Sequence, residues 1–186
     1  ESRTEALAAQ IEATGVPIAE GRELLETQLQ DRLAVEGELT AALPLAKEFL
    51  AISQVANLGV ELGNCMMGIN LSAMGQFQPA HGHLLEVVES FRRGTQTPAV
   101  IFGVDELVLA HCYLALNRTD DARKTLERVL TGESLLQPDA NDYRDALIEL
   151  GRLHHDQGQF VSAIERLSEA MERYPDDPRS AETRYL

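Results

Sequence analysis

The stretch LIELGRLHHDQGQFVSAIERLSEA, Leu147–Ala170, decides the fold. Leu147, Leu150 and His154, then Ala163, Leu167 and Ala170, recur at spacings of three and four, the period of an α-helix. Gly158 separates the two runs and Pro175 lies beyond the second. The pattern reads as two amphipathic helices joined by a tight turn. Gly151 and Ala163 are the small residues, one per helix, that let two backbones come close.

The same phrase returns at Met67, Gly68, Leu71, Gly75, Phe77, Ala80, Leu84 and Val87. Aligned on the internal Ala (Ala42, Ala80, Ala122, Ala163), four units lie 38, 42 and 41 residues apart. A turn residue, Gly37, Gly75, Asn117 or Gly158, stands five residues before each Ala. Gly and Asn tolerate the left-handed backbone that such a turn can require. The first helix carries a small residue at Gly68, Ala110 and Gly151, with Gln30 as the exception. Phe49, Val87, Val129 and Ala170 close the second helices. Self-similarity at a fixed period marks a repeat architecture, and no stretch alternates as a half-buried strand does. Gly94–Pro98 and Gly132–Asp142 have the composition of connecting loops. Before the repeats, Ser2-Arg-Thr-Glu5 has the form of a capping box, so a helix is expected to open there and stop before Gly15 and Pro17.

These residues resemble the tetratricopeptide repeat, a helix–turn–helix unit of about 34 residues. Asp145–Pro175 follows its pattern nearly throughout, with His154 at the usual Tyr position and Leu167 at the second aromatic one. Asp105–Val129 and Asn64–Val87 follow it as well, and Leu25–Phe49 follows it weakly. The resemblance implies an all-α fold, an α-solenoid of stacked antiparallel helix pairs. It further implies a right-handed superhelix whose first helices line a concave groove. The expected organisation is an N-terminal helix over 1–16 and about four helix pairs within 22–178. Those pairs span approximately 22–57, 60–94, 102–132 and 143–176, and a further repeat helix starts over 179–186. Gly63–Glu127 is similar to repeats of bacterial signalling ATPases and transcription activators, whereas Tyr174–Tyr185 is more like envelope-associated bacterial repeats. These two likenesses point to different compartments, with the cytoplasm slightly favoured over the periplasm.

Composition bounds the function. The 186 residues carry 30 acidic and 16 basic side chains, a net charge of −14. Nucleic-acid binding needs clustered Lys and Arg to displace counterions, so this charge argues against it, and against an anionic membrane surface. No apolar run approaches the roughly 20 residues that span a bilayer. Cys65 and Cys112 are two thiols in helical segments and read as small buried hydrophobes.

By the register that the family resemblance supplies, Leu24, Thr27, Asp31, Cys65, Ile69, Leu107, His111, Ile148, Arg152 and His155 project from first helices toward the groove. The column is mainly apolar and suits an amphipathic helix or an apolar peptide. Relatives that clamp a terminal carboxylate use groove Lys, Asn and Arg. Here the matching positions hold Cys, Leu and Ile, and Arg152 alone could serve. A metal site is not expected: His81 and His83, or His154 and His155, diverge on a helix, where zinc ligands want spacings of three or four. His81 and His83 read as partly solvated on an outer helix, and Glu61, Glu86 and Glu89 as solvated faces. No nucleophile elbow or phosphate loop is present, and Asp120–Asp121 and Asp176–Asp177 suit helix starts. The sequence thus points to a scaffold without enzymatic activity or cofactor, binding a protein or peptide partner. Self-association is a further option. The alternative is a regulatory or positioning segment of a signalling enzyme, of ATPase or cyclase type, whose catalytic domain lies elsewhere.

Overall fold

A computed structural model describes residues 39–56, 60–93, 106–133 and 140–179. They form α1 (Leu39–Ala56), α2 (Val60–Ala73), α3 (Phe77–Arg92), α4 (Glu106–Ala115), α5 (Thr119–Thr131), α6 (Ala140–Asp156) and α7 (Phe160–Arg173). No strand occurs among the described residues. The helix expected over 1–16, the first helix of the leading pair with its turn at Gly37, and the helix expected beyond Arg179 lie outside them. The chain divides into two compact units, Glu1–Val104 and Asp105–Leu186. In the first, α1 packs on α2 and α2 on α3. In the second, α4 packs on α5, α5 on α6 and α6 on α7, and α4 also reaches α6.

Three turns share one geometry. Gly75, Asn117 and Gly158 have φ of 73°, 58° and 73°, the left-handed region. At Gly75 the amide donates to the Ser72 carbonyl (2.9 Å), and the next amide, of Gln76, reaches back to Leu71 (2.8 Å). Asn117 with Arg118, and Gly158 with Gln159, repeat both bonds at 2.8–3.0 Å. This paired closure satisfies the last carbonyls of the first helix. The following residue then starts the second helix: the carbonyls of Gln76, Arg118 and Gln159 accept from Ala80, Ala122 and Ala163 at 3.0–3.1 Å. Asn117 is the one non-glycine residue with positive φ among those described, and its short amide side chain tolerates that conformation better than most.

Above each turn a small residue receives a leucine. A Cβ added to Gly68 would lie 2.5 Å from Leu84 Cγ, and one added to Gly151 would lie 2.6 Å from Leu167 Cγ. In the intervening pair Ala110 and Leu126 are both fully buried in one cluster with Leu107, Val129, Ala146 and Leu150. Another close approach joins α1 to α2, where a Cβ on Gly63 would meet the Leu50 Cα at 2.9 Å.

Helix α2 lies between α1 and α3 and is buried without a break from Leu62 through Gly68, and again at Asn70 and Leu71. Polar side chains caught in this layer are bonded to α3 or along α2 itself. Nδ1 of His83 lies 2.8 Å from Oδ1 of Asn64, Ser90 donates to Glu61 at 2.9 Å, and Asn70 donates to the Met66 carbonyl at 3.0 Å. Burial holds the His83 imidazole below its ordinary pKa. Two sequence expectations change here. His81 is buried rather than partly solvated, and Glu61 is half-buried and bonded rather than a free surface acid. Cys65 and Cys112 are both buried in helices.

Two glycines of the first unit test this packing with opposite signs. Gly82, exposed on α3, has nothing within 4 Å of an added Cβ. Gly82→Ala should raise stability in urea unfolding by about 0.5–1 kcal/mol through helix propensity. At Gly63 the same gain is outweighed by overpacking against the α1 backbone, about 1–3 kcal/mol, so Gly63→Ala should destabilise. If both variants were stabilised alike, α1 would not lie against α2 at Gly63.

Candidate functional site

The expected groove residues separate by burial. Cys65, Leu107 and Ile148 retain only 1%, 4% and 1% exposure. Leu107 belongs to the cluster beneath α4, α5 and α6, and Ile148 packs with Leu147 and Ala170. In this arrangement they are packing residues. Ile69, Arg152 and His155 are half-buried, and His111 is exposed. Leu24, Thr27 and Asp31 lie outside the described residues.

The accessible positions share a register. Ile69 follows Gly68, His111 follows Ala110 and Arg152 follows Gly151. Each therefore sits one residue past the small residue that its own second helix covers, turned about 100° from it. Within the second unit, α4 and α6 touch, so His111 and Arg152 occupy equivalent places on neighbouring first helices. Arg152 donates to Glu149 at 3.2 Å. His155 Nδ1 lies 3.3 Å from an Asp156 oxygen, and its ring meets the Phe160 ring edge-on at 5.8 Å.

Asp145 extends the α6 face. Asp145, Ile148, Arg152 and His155 stand at i, i+3, i+7 and i+10, one side of a helix. Sequence reasoning passed over Asp145, although that spacing was the available signal. Its carboxylate accepts from Arg179 and from Arg144, the latter at 2.9 Å. Asp177 pairs with the same two arginines, at 2.9 Å to Arg144 and 3.2 Å to Arg179. These four charges tie the segment after α7 to the first turns of α6. Hydrogen bonding to Arg179 holds the Asp177 carboxyl below its ordinary pKa, against the opposing effect of burial, and raises the Arg179 guanidinium in return. Beside them Tyr143 donates to Glu169 at 3.4 Å, with the Arg173 guanidinium 5.3 Å from its ring centroid. Burial and the Glu169 charge push the Tyr143 phenol up.

The other candidate clusters resolve into structural pairs. Asp121 pairs with Arg118 at 2.8 Å, and Asp120 lies 3.9 Å from Arg123. His154 is buried at its repeat position with Nδ1 on the Gln159 side-chain oxygen. Among the described residues, no three His, Cys, Asp or Glu side chains come together in a way that could hold a metal ion. No described helix is long and apolar enough to cross a membrane.

The ion-pair cluster has a pH signature. A depressed folded-state pKa adds stability above the carboxyl's ordinary value of 3.8, and that stability is lost as the pH falls below it. Asp177→Asn should therefore cost about 1.5–3 kcal/mol at neutral pH, the range for hydrogen bonds to charged groups. The difference in melting temperature from wild type should shrink as the pH falls below 3.8. An unchanging difference across that range would show that Asp177 is not held by the arginines.

Comparison with known proteins agrees with this geometry. The tetratricopeptide repeat family model matches residues 105–176. No curated protein sequence matches the chain. Two similar solved structures hold the nearly identical TPR-like repeats of a protein designated a kinesin light chain in Podosopora anserina, one of them a single-substitution form. The substituted form has 19% identity and a TM-score of 0.64, and the other has 20% and 0.62. Each alignment covers 89% of this chain and 81% of the other. At such identity the likeness is one of fold. Residues 105–176 match the tetratricopeptide repeat model, and the chain has a TPR-like fold, an all-α solenoid of helix pairs.

Proposed function

We propose that the chain is a non-catalytic interaction scaffold that receives a peptide or an amphipathic helix on the face presented by its first helices. Tetratricopeptide repeats mediate protein–protein interaction, and residues 105–176 match the model of such repeats. The observation that carries the finer reading is the shared register of His111 and Arg152 on the touching helices α4 and α6, each accessible and each beside a small packing residue. His155 adds a second polar contact on α6, while Leu24, Thr27 and Asp31 lie outside the described residues. Cys65, Leu107 and Ile148 support the face from beneath by fixing the backbones that carry it. The ligand such a face suits is partly apolar, with hydrogen-bonding groups for His111 and His155 and a carboxylate or carbonyl that competes with Glu149 for Arg152.

A random-peptide display selection against the folded chain tests this. Enriched peptides should lose at least about tenfold in affinity on combined His111→Ala and Arg152→Ala substitution, as interface hot spots do. The unfolding midpoint should stay unchanged, because both side chains are accessible. Selected peptides that bind the double variant as tightly as wild type would refute the first-helix face.

A further inference from the structure

Glu106 is a buried acid at a core position of the repeat. It stands four residues before the small residue of α4, as Asn64 does in α2 and Leu147 in α6. All three are buried, and Glu106 keeps only 3% exposure. Leu147 needs no polar partner, and the Asn64 side-chain oxygen is matched by His83 at 2.8 Å. Glu106 has no such match. Both carboxylate oxygens are enclosed, and neither accepts a hydrogen bond among the described residues.

The cation that faces it is Arg128, in the last turn of α5. Its Nη2 comes within 3.4 Å of Glu106 Oε1, a contact of charges without hydrogen-bond geometry. The same Nη2 donates to the Thr125 hydroxyl at 3.4 Å, while Nε is enclosed and has no hydrogen-bond partner among the described residues. Buried charges hold together well only when hydrogen bonds fill their remaining lone pairs and protons. Here two acceptors and one donor are unfilled on two groups that touch. The mixed set decides the ligand. A cation would meet the guanidinium, and an anion would meet the carboxylate. A small neutral molecule that both donates and accepts suits both, and a buried water commonly makes about three hydrogen bonds. The Arg128 side chain retains 27% exposure, which gives such a molecule a way in. We infer that Glu106 and Arg128 form an internal water site, in which the water donates to the carboxylate and accepts from Nε. The turn at Asn117 joins α4 and α5 at one end, and the hydrated pair joins the first turn of α4 to the last turn of α5 at the other.

A crystal structure of the chain tests the inference. Ordered water should lie within about 2.5–3.2 Å of both a Glu106 oxygen and Arg128 Nε. Nε and Nη2 set directly on the two carboxylate oxygens, with no water between, would overturn it. In solution, the Arg128 Nε–H should give water cross-peaks of opposite sign in NOESY and ROESY spectra, the mark of a water that tumbles with the protein. Arg93 and Arg173, whose side chains are 55% and 56% exposed, should not. Absence of the Arg128 signal would count against the site. Substitution tests the pair itself. Arg128→Leu alone leaves the carboxylate buried without its cation and should lower the melting temperature. Combined Glu106→Leu and Arg128→Leu should restore it to at least the wild-type value, because an apolar replacement for a buried ion pair is often neutral or stabilising. A double variant that melts as low as the single one would show that the two groups do not share a buried site.

Discussion

The structure depends on the contact between a small residue and the leucine that sits on it. Gly68 under Leu84, Ala110 with Leu126 and Gly151 under Leu167 are one interaction made three times, always across sixteen residues of chain. At Gly68 and Gly151 the leucine occupies the space where a Cβ would stand, so the two helices approach more closely than ordinary side chains allow. The left-handed residue of each turn lies seven residues after the small one, close to two helical turns. The turn therefore reverses the chain at the height that brings the leucine back over the gap. Helix length, turn chemistry and interhelical distance are set together.

That close packing shapes what the surface can offer. Once α4 lies against both α5 and α6, an apolar side chain on its inner side has nowhere to go but the core, and Leu107 shows it. The residue next to the small one stays accessible on each described first helix: Ile69, His111 and Arg152. The segment after α7 is held by charge instead of by a leucine, through Arg144, Asp145, Asp177 and Arg179. The outer face of α7 is under neither constraint, and there Phe160, Val161 and Ile164 stand exposed.

The parts legible in the sequence were those fixed by single residue types. Gly75, Asn117 and Gly158 were readable as turns because few residues accept their backbone geometry, and Gly68, Gly151 and Ala163 because few residues fit a close helix contact. Helix periodicity also assigns a face, but it does not say how deep that face lies. Ile148 and Arg152 stand one helical turn apart on the same side of α6, yet one is enclosed and the other is not. Depth depends on which neighbours cover each turn of the helix. The same gap accounts for His81, buried where the outer helix was expected to be wet, and for Phe160, which occupies the turn-aromatic position of the repeat but stands largely in solvent. The Asp145–Arg179 contact joins residues 34 apart, a separation with no local pattern to reveal it.

A double-mutant cycle on Gly151 and Leu167 tests the central contact most directly. Alone, Gly151→Ala should destabilise by about 1–3 kcal/mol, because the new Cβ meets Leu167. In a Leu167→Ala background the clash is gone, and the same substitution should be neutral or stabilising by up to about 1 kcal/mol from helix propensity. A coupling energy of that size between the two positions is the predicted result. Additive effects, with Gly151→Ala costing the same in both backgrounds, would show that the leucine does not sit on the glycine and would contradict the account.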